Sequence, residues 1–527
     1  MTLWEANGCE PDFTHYSDFV SKEFMFMHGP SFGHAGVFNA KCSRGMTLAL
    51  RRLTSVRKPG EMCGGVSLHE YLIQRQLEMR QKYPILDTFV ETLSLRYTFG
   101  LTDVEMRERG WVISPNPKRG LRICADRALD DEGRRFDNVR VRNGVTTAKF
   151  KTGEINKSDG WPRMIDDLTV EGSSVAGYIM DNVKTLMSEE YLLGEFSSRF
   201  IKTPSSSEIC EAFSSVLNGA SVVHRYFSDD SIVGVKCLDG RLICNVDISS
   251  ADLSYYEPVF ELLEKLLKCD PSAHVAIDGV MKQLTLPVRI TNPEDASERV
   301  TLFPQGGRYL KSGSTLTTLT NNIGNAAGML IFYTRWTPLI TMKEAEDLLV
   351  ESYREAGMII TVERCENPED LQFLKHSPQI TDDVVECFLN LGVFFKGFGT
   401  FHGELPRTLV GARDWESRGR AFNSDVVKSY VHAGDHVITS AFRTKIMAYG
   451  DDSLETQGCG GFKIHTSTLC RRYNIEVTDL EELADMIVMS DIGDRIYHDV
   501  VDAVMLKDYS FKWGVDYPGD STEYLHM

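Results

Sequence analysis

The segment from Ser221 to Asp247, SVVHRYFSDDSIVGVKCLDGRLICNVD, restricts the fold more than any other part of the chain. Two runs rich in β-branched residues are split by Ser228-Asp229-Asp230, and a third follows Asp239-Gly240. Asp-Gly is a strong hairpin signal, because both central positions of a type I′ turn need a positive φ. The pattern predicts an antiparallel meander with strands at Val222 to Phe227, Ser231 to Leu238 and Arg241 to Val246. The following stretch, YEPVFELLEKLLKC, has the spacing of an amphipathic helix.

Register turns this meander into chemistry. A turn centred on Asp239 and Gly240 sets Asp247 opposite Ile232, within a residue or two of Asp229 and Asp230. Adjacent strands lie roughly 4.8 Å apart, so three carboxylates are expected to converge at one end of the sheet. Their mutual repulsion calls for one or two hard divalent cations, with Mg²⁺ or Mn²⁺ as candidates. The plain alternative is an acidic sheet edge facing solvent, which accounts for one Asp-Asp pair better than for three converging carboxylates.

Bulk properties limit the function classes. The chain has 527 residues, 42% of them apolar, enough for several subdomains around more than one core. Its formal charge of −18 argues against a surface coated everywhere with nucleic acid but permits a local basic channel. The densest basic stretches are NPKRGLRICADR, from Asn116 to Arg127, and EGRRFDNVRVRNG, from Glu132 to Gly144. The 12 cysteines form no C-x-x-C pair, so structural zinc is not expected. No long apolar run or basic-then-apolar amino terminus is present, so neither a membrane span nor a signal peptide is expected. The default expectation is a cytoplasmic or particle-interior location.

Further along, KSGSTLTTLTNN, from Lys311 to Asn322, carries Ser312-Gly313, then Thr317, then Asn321 on the same helix face. With Asp247-x4-Asp252 upstream, this resembles motifs A and B in the palm of viral RNA-dependent RNA polymerases. The resemblance implies that Asp247 binds metal, that Ser312-Gly313 form a mobile loop, and that Asp252, Thr317 and Asn321 belong to the nucleotide site. A 2′-hydroxyl both donates and accepts, so Asp252 accepting and Asn321 donating would select ribonucleotides. MIITVE and EDLQFLKHSP resemble motifs D and E, although Arg364 stands where a lysine is usual. GWVISPNPKRGLRIC resembles the basic motif F, which would give Lys118, Arg119 and Arg122 a role on the triphosphate.

Two Asp-Asp pairs compete for motif C. The familiar-looking one, Asp451-Asp452 in KIMAYGDDSLE, lies beyond every other palm motif, and its return segment SLETQGCGG is polar and glycine-rich. The other, Asp229-Asp230, directly precedes motif A. That order, C-A-B, is the one found in the permuted polymerases of permutotetraviruses and birnaviruses. An outgoing motif C strand joined by a tight turn to the motif A strand is compatible with antiparallel pairing. The two helices left behind then need only the short TPLIT between them.

The fold expected from this resemblance is α+β: a right hand of fingers, palm and thumb, with an antiparallel palm sheet flanked by helices. Fingers are expected over 1–220 and 258–310, palm over 221–257 and 311–384, and thumb with the carboxy-terminal region over 385–527. The expected activity is RNA-templated RNA synthesis by two-metal nucleotidyl transfer, with Asp229, Asp230 and Asp247 as catalytic metal ligands. Expected partners are template and nascent RNA, ribonucleoside triphosphates, and other viral replication or capsid proteins. Two alternatives stay open: the same activity in unpermuted order through Asp451 and Asp452, or a palm-like RNA-binding protein without catalysis.

Overall fold

The computed structural model describes residues 4–6, 30–32, 43–54, 74, 77–96, 144–151, 154, 162–167, 180, 183–255, 257–269, 274–304, 308–314, 316–382, 384–397, 433–447, 461–491 and 494–511. Helices and strands are mixed, and the strand pairs are mostly antiparallel. From the amino terminus come β1 (Trp4–Ala6), β2 (Ser31–Phe32), α1 (Ser43–Thr54), α2 (Ile85–Leu95), β3 (Thr146–Phe150) and β4 (Met164–Asp167). The centre holds β5 (Tyr191–Leu193), β6 (Phe196–Phe200), α3 (Ser206–Asn218), β7 (Val222–Phe227), β8 (Asp230–Cys237), β9 (Gly240–Ile248), α4 (Glu257–Leu267) and α5 (His274–Gln283). After these come β10 (Val288–Thr291), β11 (Arg299–Pro304), α6 (Thr317–Arg335), α7 (Met342–Glu355), β12 (Ile360–Arg364), β13 (His376–Thr381) and β14 (Val384–Leu389). Last are α8 (Leu391–Gly397), α9 (Val437–Met447), α10 (Thr466–Tyr473), α11 (Val477–Met489), β15 (Arg495–Ile496) and α12 (Asp499–Tyr509).

The meander forms as its sequence pattern predicts and becomes the centre of a six-stranded sheet, ordered β12-β9-β8-β7-β6-β5. Side-chain alternation sorts its residues between two cores. Val222, Tyr226, Val233 and Val235 pack with α6 and α7, while Val223 and Ile232 pack with α3 and the β13–β14 hairpin.

The register differs from the expected one by two residues. Cys237 pairs with Gly240, so the turn is Leu238-Asp239, and the strands run Asp230–Cys237 and Gly240–Ile248. Tertiary contacts account for the shift. The Leu238 N–H donates to the Ile340 carbonyl at 2.8 Å, and the Asp239 carboxylate accepts the Met342 N–H at 2.8 Å. The short connection between α6 and α7 therefore clasps the turn. A slip of two keeps each side chain on its predicted face, where a slip of one would reverse them all.

Helices α6 and α7 are specified locally and by packing. Thr341 and Glu344 form a reciprocal capping box at the start of α7. Gly328 of α6 lets α7 approach closely: a Cβ there would lie 2.7 Å from the Tyr353 ring. A second sheet, β1-β11-β10-β3-β4, joins strands from the amino terminus to β10 and β11. A separate helical core gathers Phe388, Phe394, Phe442, Leu469, Leu483 and Val504 from the carboxy-terminal third. Among the described residues no helix is long and apolar enough to cross a membrane.

Candidate active site

The β7–β8 turn and the end of β9 bring the acidic residues together. Asp230 is the direct cross-strand partner of Asp247, and the Asp229 carbonyl accepts the Ile248 N–H at 3.3 Å. On the other side of β9, Thr361 of β12 faces Asp247. Burial, then the negative charges of Asp229 and Asp230, pushes Asp247 up to about 7. Solvent still reaches Asp247. Burial pushes Asp230 up to about 6, while the Leu374 N–H, donated to its Oδ2 at 3.0 Å, opposes the rise. Leu374 and Lys375 both adopt positive φ, and this turn into β13 aims that N–H at the carboxylate.

Helix α6 grips the acidic turn with three amides. Ser228, itself at φ 60°, donates its N–H to Asn322 Oδ1 at 2.9 Å. Its hydroxyl accepts from Asn321 Nδ2 at 2.8 Å, and its carbonyl accepts from Asn325 Nδ2. Tyr353 of α7 donates to Asn325 Oδ1 at 3.0 Å and fixes that amide in turn. These three asparagines are buried, and buried amides are costly unless bonded. The turn is thus held at all three of its Ser228 groups, while Asn321 Oδ1 and Asn322 Nδ2 find no partner among the described residues.

The remaining predicted residues have distinct partners. Asp252, in a 3₁₀ turn after β9, is held by both terminal nitrogens of Arg52 from α1, at 2.9 and 2.8 Å. Ser312 offers its carbonyl to the Asp166 N–H at 2.7 Å, and Gly313 has φ 89°. The Ser312-Gly313 loop lies so close to β4 that a Cβ on Gly313 would be 2.3 Å from Ile165 Cγ2. Thr317 caps the loop through its hydroxyl, which donates to the Lys311 carbonyl at 3.2 Å. Beneath, Lys311 is buried and donates to Thr146 Oγ1 and the Leu286 carbonyl at 2.8 and 2.7 Å. Lys118, Arg119, Arg122, Asp451 and Asp452 lie outside the described residues.

Among the described residues no three acidic, His or Cys side chains close around a point as a finished metal cage. Asp230 is partly committed to the Leu374 N–H. The donor set is nevertheless all oxygen, and burial, then neighbouring negative charge, disfavours ionisation of Asp230 and Asp247. Both properties suit a hard divalent cation.

No protein-family model matches the sequence, and no curated protein matches it either. Among solved structures the chain is similar to birnavirus polymerases, at TM-scores below 0.5. One such structure is the RNA polymerase VP1 from Infectious Pancreatic Necrosis Virus, at 10% identity and TM-score 0.41, with 97% of this chain and 66% of that one covered. Another is the birnavirus VP1–VP3 complex, at 9% identity and TM-score 0.42, with 96% and 66% covered. The chain thus spans just under two thirds of the length of these birnavirus proteins.

Several residues at the site escape a reading of the sequence. Asn322 and Asn325 stand in plain view in TNNIGN, and three amides on one apolar helix are themselves a signal of a polar partner. Arg52 and Arg163 carry no local signal. Arg163 pairs with Glu154, and its charge acts on both Asp247 and Asp252. Arg364, which stands where a motif D lysine is usual, reaches Met342 Sδ at 3.9 Å, by the clasped turn at the other end of β9.

Proposed function

We propose that the chain is a template-directed RNA polymerase with a permuted palm, in the order C-A-B. The observation that carries this reading is the direct pairing of Asp230 with Asp247 beside Asp229, at the end of a sheet backed by the asparagine-bearing helix α6. In this reading the palm, over 221–257 and 311–384, contributes β7, β8, β9 and β12 to the six-stranded sheet. The five-stranded sheet belongs to the fingers, within 1–220 and 258–310, and the helical core after 385 is the thumb.

The reaction joins the 3′-hydroxyl of nascent RNA to the α-phosphate of a ribonucleoside triphosphate and releases pyrophosphate. Two Mg²⁺ or Mn²⁺ ions, when bound, would acidify that hydroxyl and neutralise the developing phosphate charge. Asp229 and Asp247 would hold them. Asp230, anchored by Leu374, keeps negative charge beside them and sets the angle of the turn. Arg163 lies near enough for its charge to act on Asp247 and Asp252, and it would meet the triphosphate together with Lys118, Arg119 and Arg122. Ser312, Gly313 and Thr317 would form the loop that adjusts as nucleotide and template arrive. RNA, ribonucleoside triphosphates and other viral replication or capsid proteins are the partners of this reading, in the host cytoplasm or a virion.

The test is extension of an RNA primer–template by the purified chain with Mg²⁺ or Mn²⁺. Metal-dependent incorporation that is lost in both Asp229→Asn and Asp247→Asn supports the reading. Metal-independent RNA binding without incorporation would favour a non-catalytic protein.

A further inference from the structure

Asn321 is buried, and its two ends differ. Its Nδ2 donates to the Ser228 hydroxyl at 2.8 Å, whereas its Oδ1 has no hydrogen-bond partner among the described residues. A buried acceptor left bare is costly, so its retention beside the acidic turn calls for a ligand donor. Asp252 is engaged elsewhere, with both carboxylate oxygens on Arg52. The roles expected from the sequence are thereby inverted at Asn321. The nitrogen that was to donate to a sugar is spent on Ser228, and the carbonyl is the buried end left without a partner among the described residues.

We propose that Ser228 is a positioning residue for sugar recognition: its hydroxyl binds Asn321 Nδ2 and so presents Asn321 Oδ1 as acceptor for the 2′-hydroxyl of the incoming nucleotide. The inference rests on the polymerase reading and names the residue that orients its sugar contact. Ser228 suits the task because three groups fix it. Its N–H, hydroxyl and carbonyl each bond a different asparagine of α6, so its Oγ cannot drift with the turn. A glycine would satisfy the φ of 60° at least as well. The serine therefore supplies the hydroxyl, which the turn geometry does not itself require.

The experiment compares single-nucleotide incorporation of UTP and dUTP by wild type, Ser228→Gly and Ser228→Cys. Glycine keeps the backbone and deletes the acceptor, and cysteine keeps the shape but offers only a weak acceptor. Both variants are expected to lower the UTP:dUTP ratio of kcat/KM by about five-fold, the size of one lost hydrogen bond, mainly through KM for UTP. In an Asn321→Ala background Ser228→Gly should leave the ratio unchanged, because the two residues act as one unit. A merely structural role would lower both substrates alike and persist in that background. If wild type discriminates and either variant that folds keeps the wild-type ratio, the inference is overturned and the polymerase reading stands. If wild type incorporates neither nucleotide with either metal, the polymerase reading itself fails.

Discussion

Asp230 and Asp247 face each other directly across β8 and β9, although they lie seventeen positions apart in sequence with a hairpin turn between them. Both carboxyls are pushed above the ordinary value of 3.8, to about 6 and about 7. Two acids so placed resist ionisation together, and a bound cation removes that resistance.

Stability should therefore respond to metal in a pH-dependent way. Because both folded values lie above 3.8, the unfolded chain ionises first as pH rises. The stability these acids contribute is fully present below about pH 4 and is lost as pH climbs through 6 to 7. A divalent cation requires the ionised form and offsets that loss. Thermal melts with and without Mg²⁺ should show a larger rise in Tm at pH 8 than at pH 5.5, and Asp247→Asn should reduce the difference.

Arg52 should control Asp252. In the proposed site its bidentate hold would fix Asp252 beside the nucleotide, and it comes from an element 200 residues away. Arg52→Ala is expected to raise KM for ribonucleotides about five- to ten-fold, with a smaller change in kcat. Arg52→Lys should recover little of this, since a lysine cannot bridge both oxygens. Single-nucleotide kinetics would show it.

Asn325 should matter for stability more than for sugar choice. Asn325→Ala leaves the Ser228 carbonyl without its amide donor, while the Tyr353 hydroxyl keeps only the backbone carbonyl of residue 325. A loss of about 1–3 kcal/mol in chemical denaturation is expected, without the selective loss of UTP over dUTP predicted for Ser228→Gly.

Gly328 should tolerate no side chain. Gly328→Ala places its methyl against the Tyr353 ring, at the joint between α6 and α7. Overpacking of this kind costs about 1–3 kcal/mol, to be read as a lower unfolding midpoint in urea.

The meander was legible because its information is local: β-branched runs, an acidic break and Asp-Gly. The exact register was not, since the Ile340 and Met342 backbone bonds that settle it come from a loop a hundred residues on. Two-residue periodicity kept the facing of each side chain intact, so the acidic cluster could be anticipated despite the slip. Asn321 could be read from its spacing to Ser312-Gly313, but not which end of its amide is free. That depends on the Ser228 hydroxyl, ninety-three residues earlier. Arg52 was hidden for the same reason, because only the packed fold sets α1 against the turn after β9.

The most direct measurement is RNA primer extension by Asp247→Ala, Asp229→Ala and Asp451→Ala, with Mg²⁺ and each protein verified as folded. Loss of synthesis by at least about a hundred-fold in the first two, with much of it retained in Asp451→Ala, is the predicted result. Full synthesis by Asp229→Ala or Asp247→Ala, together with an inactive Asp451→Ala, would contradict the permuted site.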